Sequence, residues 1–400
     1  MLIDNNRLIN SLARMESSIQ PASSCPGGVA YSTASRDALR QLARLLQSAG
    51  MMTHSDLAGN LVGRLEGKQA WPPLIMGARI DTAPVGDRCV GFAGIMAAVE
   101  VARTLHDNGT VLDHPLEIIV WSDSAGRMLG SRSFHESITR TEISSRTDGD
   151  TTVADGIGFL GGSPDKLLLN QRAKGTIAAY LEMQTEPDAS QWSSSAELGV
   201  VQQFAGIQRW SVQLVSDASN RTDSEQRRQL HDAASRFSAA IADLQQPESD
   251  RQVTRLDLSS TSATASNNRS LDIRFRLDIR AHNPERIDSL FTVVRERAER
   301  ISQETATRFV MEPVFGLQPS ETDPQVSEAI IEAASQLGLS YLPRRGAAGH
   351  DAQGLSTLAP VGVIIVPGGT NGRTSRSGDV LPEAFANGAN TLLRTLLQLD

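Results

Sequence analysis

The sequence predicts an α/β domain interrupted by a smaller α+β domain, and three observations carry that prediction. Two short apolar runs, 73–76 and Leu116–Trp121, read as buried strands, and a helical segment at 94–105 lies between them. Strand, helix, strand in that order implies a parallel sheet with covering helices. From about Gly206 the texture changes to longer alternating strands, and after Pro313 it returns to short buried runs and helices. The first domain is therefore expected to be discontinuous, at 1–204 and 313–400, around an insert at 205–312.

The elements follow in order. Residues 1–12 have amphipathic helical spacing, a Gly-rich turn follows at 25–28, and 38–46 repeats with a helical period that Gly50 closes. Residues 56–65 begin a strand pair. In the insert, 210–215 alternates like a half-exposed strand, a long helix covers 224–244, and two strands flank Asn267. The second of these, 271–280, alternates throughout, and a helix follows at 284–304. Beyond the insert come a helix at 325–337, a buried strand at 361–366 and a last helix, Pro382–Leu399. The polar stretches 148–155 and 259–268 read as loops.

Composition narrows the function classes. A chain of 400 residues with 40% hydrophobic content has the material for more than one core. No apolar run reaches the ~18–20 residues that a membrane span needs, and the first residues lack the basic start and unbroken apolar core of a signal peptide. A cytoplasmic protein is expected. Two cysteines, Cys25 and Cys89, are too few for a disulfide framework or a thiolate metal site. The formal charge of −8 argues against a nucleic-acid partner.

Two motifs carry the chemistry: Gly77-Ala78-Arg79-Ile80-Asp81-Thr82-Ala83-Pro84 and Trp121-Ser122-Asp123-Ser124-Ala125-Gly126. They resemble the Gly-Ser-His-x-Asp-Thr-Val-Pro and Asp-Glu-Glu-Gly signatures of the dinuclear zinc aminoacylase/carbamoylase family, which includes N-carbamoyl-amino-acid hydrolases and allantoate amidohydrolases. Segments 25–29, 56–61, 130–134, 277–280 and 346–352 extend the resemblance over nearly the whole chain. It implies a zinc-peptidase-like α/β domain interrupted by a smaller α+β dimerisation domain, and hence a homodimer.

In that family two zinc ions activate a water that attacks an amide or ureido carbonyl. Matched residue by residue, the metal ligands are missing here. The signature histidine falls on Arg79, although Asp81 remains. The bridging aspartate falls on Val90, the base glutamate on Ser124, the adjacent ligand on Ala125, a histidine on Gln184 and the last histidine on Arg376 or, with the turn shifted, on Thr374. The histidine that polarises the substrate carbonyl is replaced by Arg221, and arginine is a poor metal ligand but a good partner for carboxylate or phosphate. Asn267 and Arg280 match the pair that holds the substrate carboxylate, and Gly349-His350-Asp351 matches a turn that lines the pocket. No metal and no cofactor is expected.

Each assignment has a structural counterpart. Arg79, Arg221 and Arg376 either stabilise an oxyanion or plug a disused cleft, Asp81 either moves protons or, like Asp123, pairs with Arg79 or Arg127 to hold the cleft together, and His350 either moves protons or packs its turn. Gln184, Asn267, Arg280 and Gly349 stand as substrate contacts. The other histidines, His54, His106, His114, His135, His231 and His282, fall in segments read as loop or helix surface. Three functions compete: a repurposed, metal-independent enzyme acting on a small amino-acid-derived carboxylate, a non-catalytic binding or partner protein, and a zinc hydrolase with unfamiliar ligands.

Overall fold

The computed structural model describes residues 1–17, 29–81, 91–147, 151–186, 192, 196–216, 222–244, 254–262, 272–346, 350–368 and 381–400, the stretch 254–262 by its backbone. The elements run in the order α1 (Asn5–Ser17), α2 (Thr33–Ser48), β1 (Met52–Ser55), β2 (Leu61–Leu65), β3 (Leu74–Arg79), α3 (Phe92–Asp107), β4 (Leu116–Trp121), α4 (Leu129–Arg132), α5 (Arg140–Ser144), α6 (Val153–Phe159), β5 (Ala179–Glu186) and β6 (Leu198–Phe204). Then come β7 (Gly206–Ser216), α7 (Asp223–Ala242), β8 (Thr254–Ser262), β9 (Asp272–Ala281), α8 (Pro284–Thr305), β10 (Thr307–Leu317), β11 (Ser320–Glu321), α9 (Pro324–Gln336), β12 (Tyr341–Gly346), α10 (Asp351–Leu355), β13 (Val361–Pro367) and α11 (Pro382–Leu399).

The chain divides into two units. The first takes Met1–Gln203, Glu321–Arg345 and Gly349–Asp400, and the second takes Phe204–Ser320 with Gly346–Ala348. The return to the first unit falls at Glu321 rather than at 313, because Pro313 lies inside β10, which pairs with β7 along its length.

The first unit is built on a nine-stranded sheet in the order β1-β2-β4-β3-β5-β13-β6-β11, with β12 on β6. Its centre is parallel, β4 to β3 to β5 to β13, as strand, helix, strand implied. Alternation sorts the side chains into two faces. Leu74, Met76, Ala78, Ile118, Val120, Leu181 and Met183 join a core with α3 and α11. Helix α3 is buried around its circumference. On the other face Trp121, Tyr180, Glu182 and Gln184 are all buried, and α10 packs against α4, β5 and β13.

The second unit is a four-stranded antiparallel sheet, β10-β7-β9-β8. Trp210, Val212, Leu214, Ile273, Phe275, Leu277 and Ile279 form one core with Leu230 and Phe237 of α7 and Leu290 and Val294 of α8. Two stretches expected to be loops are not wholly so. Residues 259–262 are strand, since β8 pairs with β9 there, and Asp155 sits in the first turn of α6, where it closes a capping box with Thr152. The strand pair expected from Asp56 starts earlier, at Met52, and 56–60 is its turn.

Candidate functional site

Parallel strands of one sheet end at one edge, and in open α/β sheets that edge is where ligands bind. Here β3 ends in Arg79, with Asp81 just beyond, and β4 ends in Trp121, with Asp123, Ser124 and Ala125 following. Register places Arg79 beside Trp121. Gly91, the cap of α3, abuts Arg79. A Cβ there would lie 2.7 Å from both Arg79 Cγ and its carbonyl oxygen, so the bare backbone lets the helix start against the strand end.

Asp81 is buried, and its Oδ2 accepts a 3.0 Å hydrogen bond from the Ala125 amide. That bond ties the two signature segments together. Asp123 is also buried and adopts φ +55, the left-handed region, which few non-glycine residues take up. Gly126 accommodates it: a Cβ there would come within 1.9 Å of Asp123 Oδ1. Tyr31, likewise at φ +63, packs under Gly156 and feels both carboxylates. Burial, then the charge of Asp123, holds its phenol well above the ordinary value, so it stays protonated.

A second polar group lies on the Trp121 face. Glu182 is buried and accepts from the Tyr180 hydroxyl at 3.1 Å, the Ala352 amide at 3.1 Å and the Gln184 side-chain amide. His350 Nδ1 stands 3.5 Å from Glu182 Oε1. The neighbouring Asp351 is buried and accepts from Ser131 Oγ at 2.5 Å. Burial, reinforced by the charge of Glu182, raises the Asp351 carboxyl to about 7 against the pull of that hydroxyl. A carboxyl that titrates near neutrality beside an imidazole is equipped to hold and release a proton.

The structure thus places Arg79, Asp81, Gln184 and His350 in the first unit. Arg280 lies in the second unit, on β9, where its Nη2 stands 3.4 Å from Asp278 Oδ2. Arg221, Asn267, Gly349 and Arg376 lie outside the described residues, as does Val90. The His135 side chain is covered rather than on the surface, its Nε2 packed where a Cβ on Gly354 would sit. Sequence reasoning passed over Tyr31, Glu182 and Asp351. Glu182 shares the period-two face of Gln184, and Asp351 adjoins His350, so two of the three carried a signal.

Two zinc ions would need imidazole or carboxylate donors at about 2.0–2.2 Å. At the described ligand positions Arg79, Ala125 and Gln184 supply none, the Gln184 amide is spent on Glu182, and Asp81 already takes the Ala125 amide. Among the described residues no group of three or more His, Cys, Asp or Glu is placed to hold a metal ion. These side chains do not fit a two-zinc centre.

Comparison with known families decides the lineage, because the profile of peptidase family M20/M25/M40 matches residues 86–398. The chain belongs to that family. It is 26% identical to the N-carbamoyl-L-amino acid amidohydrolase of Geobacillus stearothermophilus, covering 93% of this chain and 94% of that one. Among solved structures it superposes on an amidase of the hydantoinase/carbamoylase family from Burkholderia vietnamiensis with a TM-score of 0.81 at 22% identity, covering 100% and 98% of the two chains. The structure of AtUAH in complex with (S)-hydroxyglycine gives 0.82 at 22% identity, covering 99% and 98%. The relatives include amidohydrolases of amino-acid-derived substrates, and no described helix is long and apolar enough to cross a membrane.

Proposed function

We propose that this family member binds a small amino-acid-derived carboxylate and acts on its C–N bond without the two-zinc centre. The observation that carries the proposal is the donor set at the strand ends: Arg79, Ala125 and Gln184 stand where metal ligands are expected, and the acid–base groups beside them remain. The Leu277-Asp278-Ile279-Arg280 match implies a carboxylate contact at Arg280, and the hydroxyglycine-bound AtUAH supports a ligand of that class. Arg79 stabilises the oxyanion that develops at the carbonyl. Water attacks that carbonyl, His350, with Glu182 at 3.5 Å, takes the water's proton and passes it to the leaving nitrogen as the C–N bond breaks, and Asp351 holds a proton nearby.

A binding-only reading is favoured by one observation, the Asp81–Ala125 bond, since a hydrogen bond to the charged form of a carboxylate makes it a poorer base. Arg79→Ala separates the two. N-carbamoyl amino acids are screened by thermal shift and then assayed for turnover in chelator-treated buffer. The variant is expected to cut turnover by about 100-fold or more while leaving affinity within a few-fold, because a cation that serves the transition state acts on rate. Ligand binding in the wild type with no turnover of any bound compound would establish the binding-only reading.

A further inference from the structure

The second unit holds a buried ion pair directly beside Arg280. On β9, Ile273, Phe275, Leu277 and Ile279 face α7 and α8, so the alternate positions Arg276, Asp278 and Arg280 lie on the opposite face of the sheet. The β7–β9 register sets Arg209 across from Asp278, and the β10–β7 register sets Phe315 across from Arg209. The three side chains form a row. Arg209 Nε and Nη2 donate to Asp278 Oδ1 and Oδ2, each at 2.6 Å, and the Arg209 guanidinium lies 4.9 Å from the centre of the Phe315 ring.

Both members of the pair are buried. Burial pushes the Asp278 carboxyl up, but the charge and hydrogen bonds of Arg209, with Arg280 adding to them, hold it below the ordinary carboxylate value. Such a pair is weak as a stability device, because the desolvation of both ions offsets their attraction and apolar residues of the same volume often serve as well. What it does fix is geometry. A two-point Arg–carboxylate contact sets the plane of the carboxylate, and Oδ2, the oxygen that takes Arg209 Nη2, is also the one that meets Arg280 Nη2 at 3.4 Å.

We propose that Arg209 is a positioning residue for the carboxylate grip of Arg280: it orients Asp278, and Asp278 orients Arg280. This rests on the reading of Arg280 as the carboxylate contact. The test is calorimetric titration of the full chain with N-carbamoylglycine and with its uncharged amide, N-carbamoylglycinamide. Arg280→Ala is expected to weaken the acid by roughly tenfold or more. Arg209→Met is expected to do nearly the same while leaving the amide unchanged, and Arg209→Lys to recover part of the loss, since an ammonium gives one contact where the fork gives two. Discrimination between acid and amide is a readout that general loosening of the sheet does not move. Should Arg209→Met fail to fold, Arg209→Lys keeps the charge and decides the question by the same ratio. An effect of Arg280→Ala with none from either Arg209 variant overturns the positioning role alone. No effect of Arg280→Ala, or no saturable binding of the acid to the wild type, overturns the carboxylate reading and this inference with it.

Discussion

Asp351 shows how one residue turns packing into chemistry. Its carboxyl is raised from 3.8 to about 7 by burial first and then by Glu182. The folded chain therefore keeps a proton that the unfolded chain releases. On this group's account stability is full below about pH 4 and declines as pH rises toward 7. Asp351→Asn removes the titration and keeps an acceptor for Ser131. Urea unfolding of the two proteins between pH 5 and 8 is expected to show the variant gaining on the wild type as pH rises, by up to a few kcal/mol. A difference that stays flat with pH would mean that Asp351 carries its charge throughout. Arg79 lies at the same scale: a cation at the end of a strand is legible in sequence, but the packing of Gly91 against it is not.

At the level of elements, legibility followed periodicity. The alternation of β9 and the apolar spacing of α11 depend on local patterns, and both were readable within a residue or two. Strand β8 was partly lost to the polar run 259–262, because its strand conformation comes from pairing with β9 rather than from its own composition. That Arg79, Ala125 and Gln184 differ from the ligands of the resembling family is a matter of residue type and is legible position by position. The Glu182–His350–Asp351 group is not, since the bond from Ala352 to Glu182 joins residues 170 apart in sequence. Helix α3 shows what holds the site's scaffold together. A Cβ on Gly94 would lie 1.9 Å from the Met183 carbonyl oxygen of β5, a backbone atom with no room to yield. Gly94→Ala should therefore cost about 3 kcal/mol or more and lower the melting temperature of the first unit by several degrees. A variant as stable as the wild type would show that α3 and β5 are not in close contact.

For the molecule as a whole, two features of the lineage bear on assembly and metal. Strands β8 and β10 are the edges of the four-stranded sheet, and open edges invite pairing with another chain. We propose that the insert pairs two copies of the chain. Light scattering at micromolar concentration should give the mass of a dimer, and a monomer would exclude it. On the proposed function the strand-end site works without zinc. Elemental analysis of protein purified in zinc-supplemented buffer and then gel-filtered tests it most directly. The expected result is well below one zinc, manganese or cobalt per chain, with ligand affinity and turnover unchanged by chelator. Close to two metal ions per chain, lost to chelator together with hydrolysis of an N-carbamoyl amino acid, would contradict it.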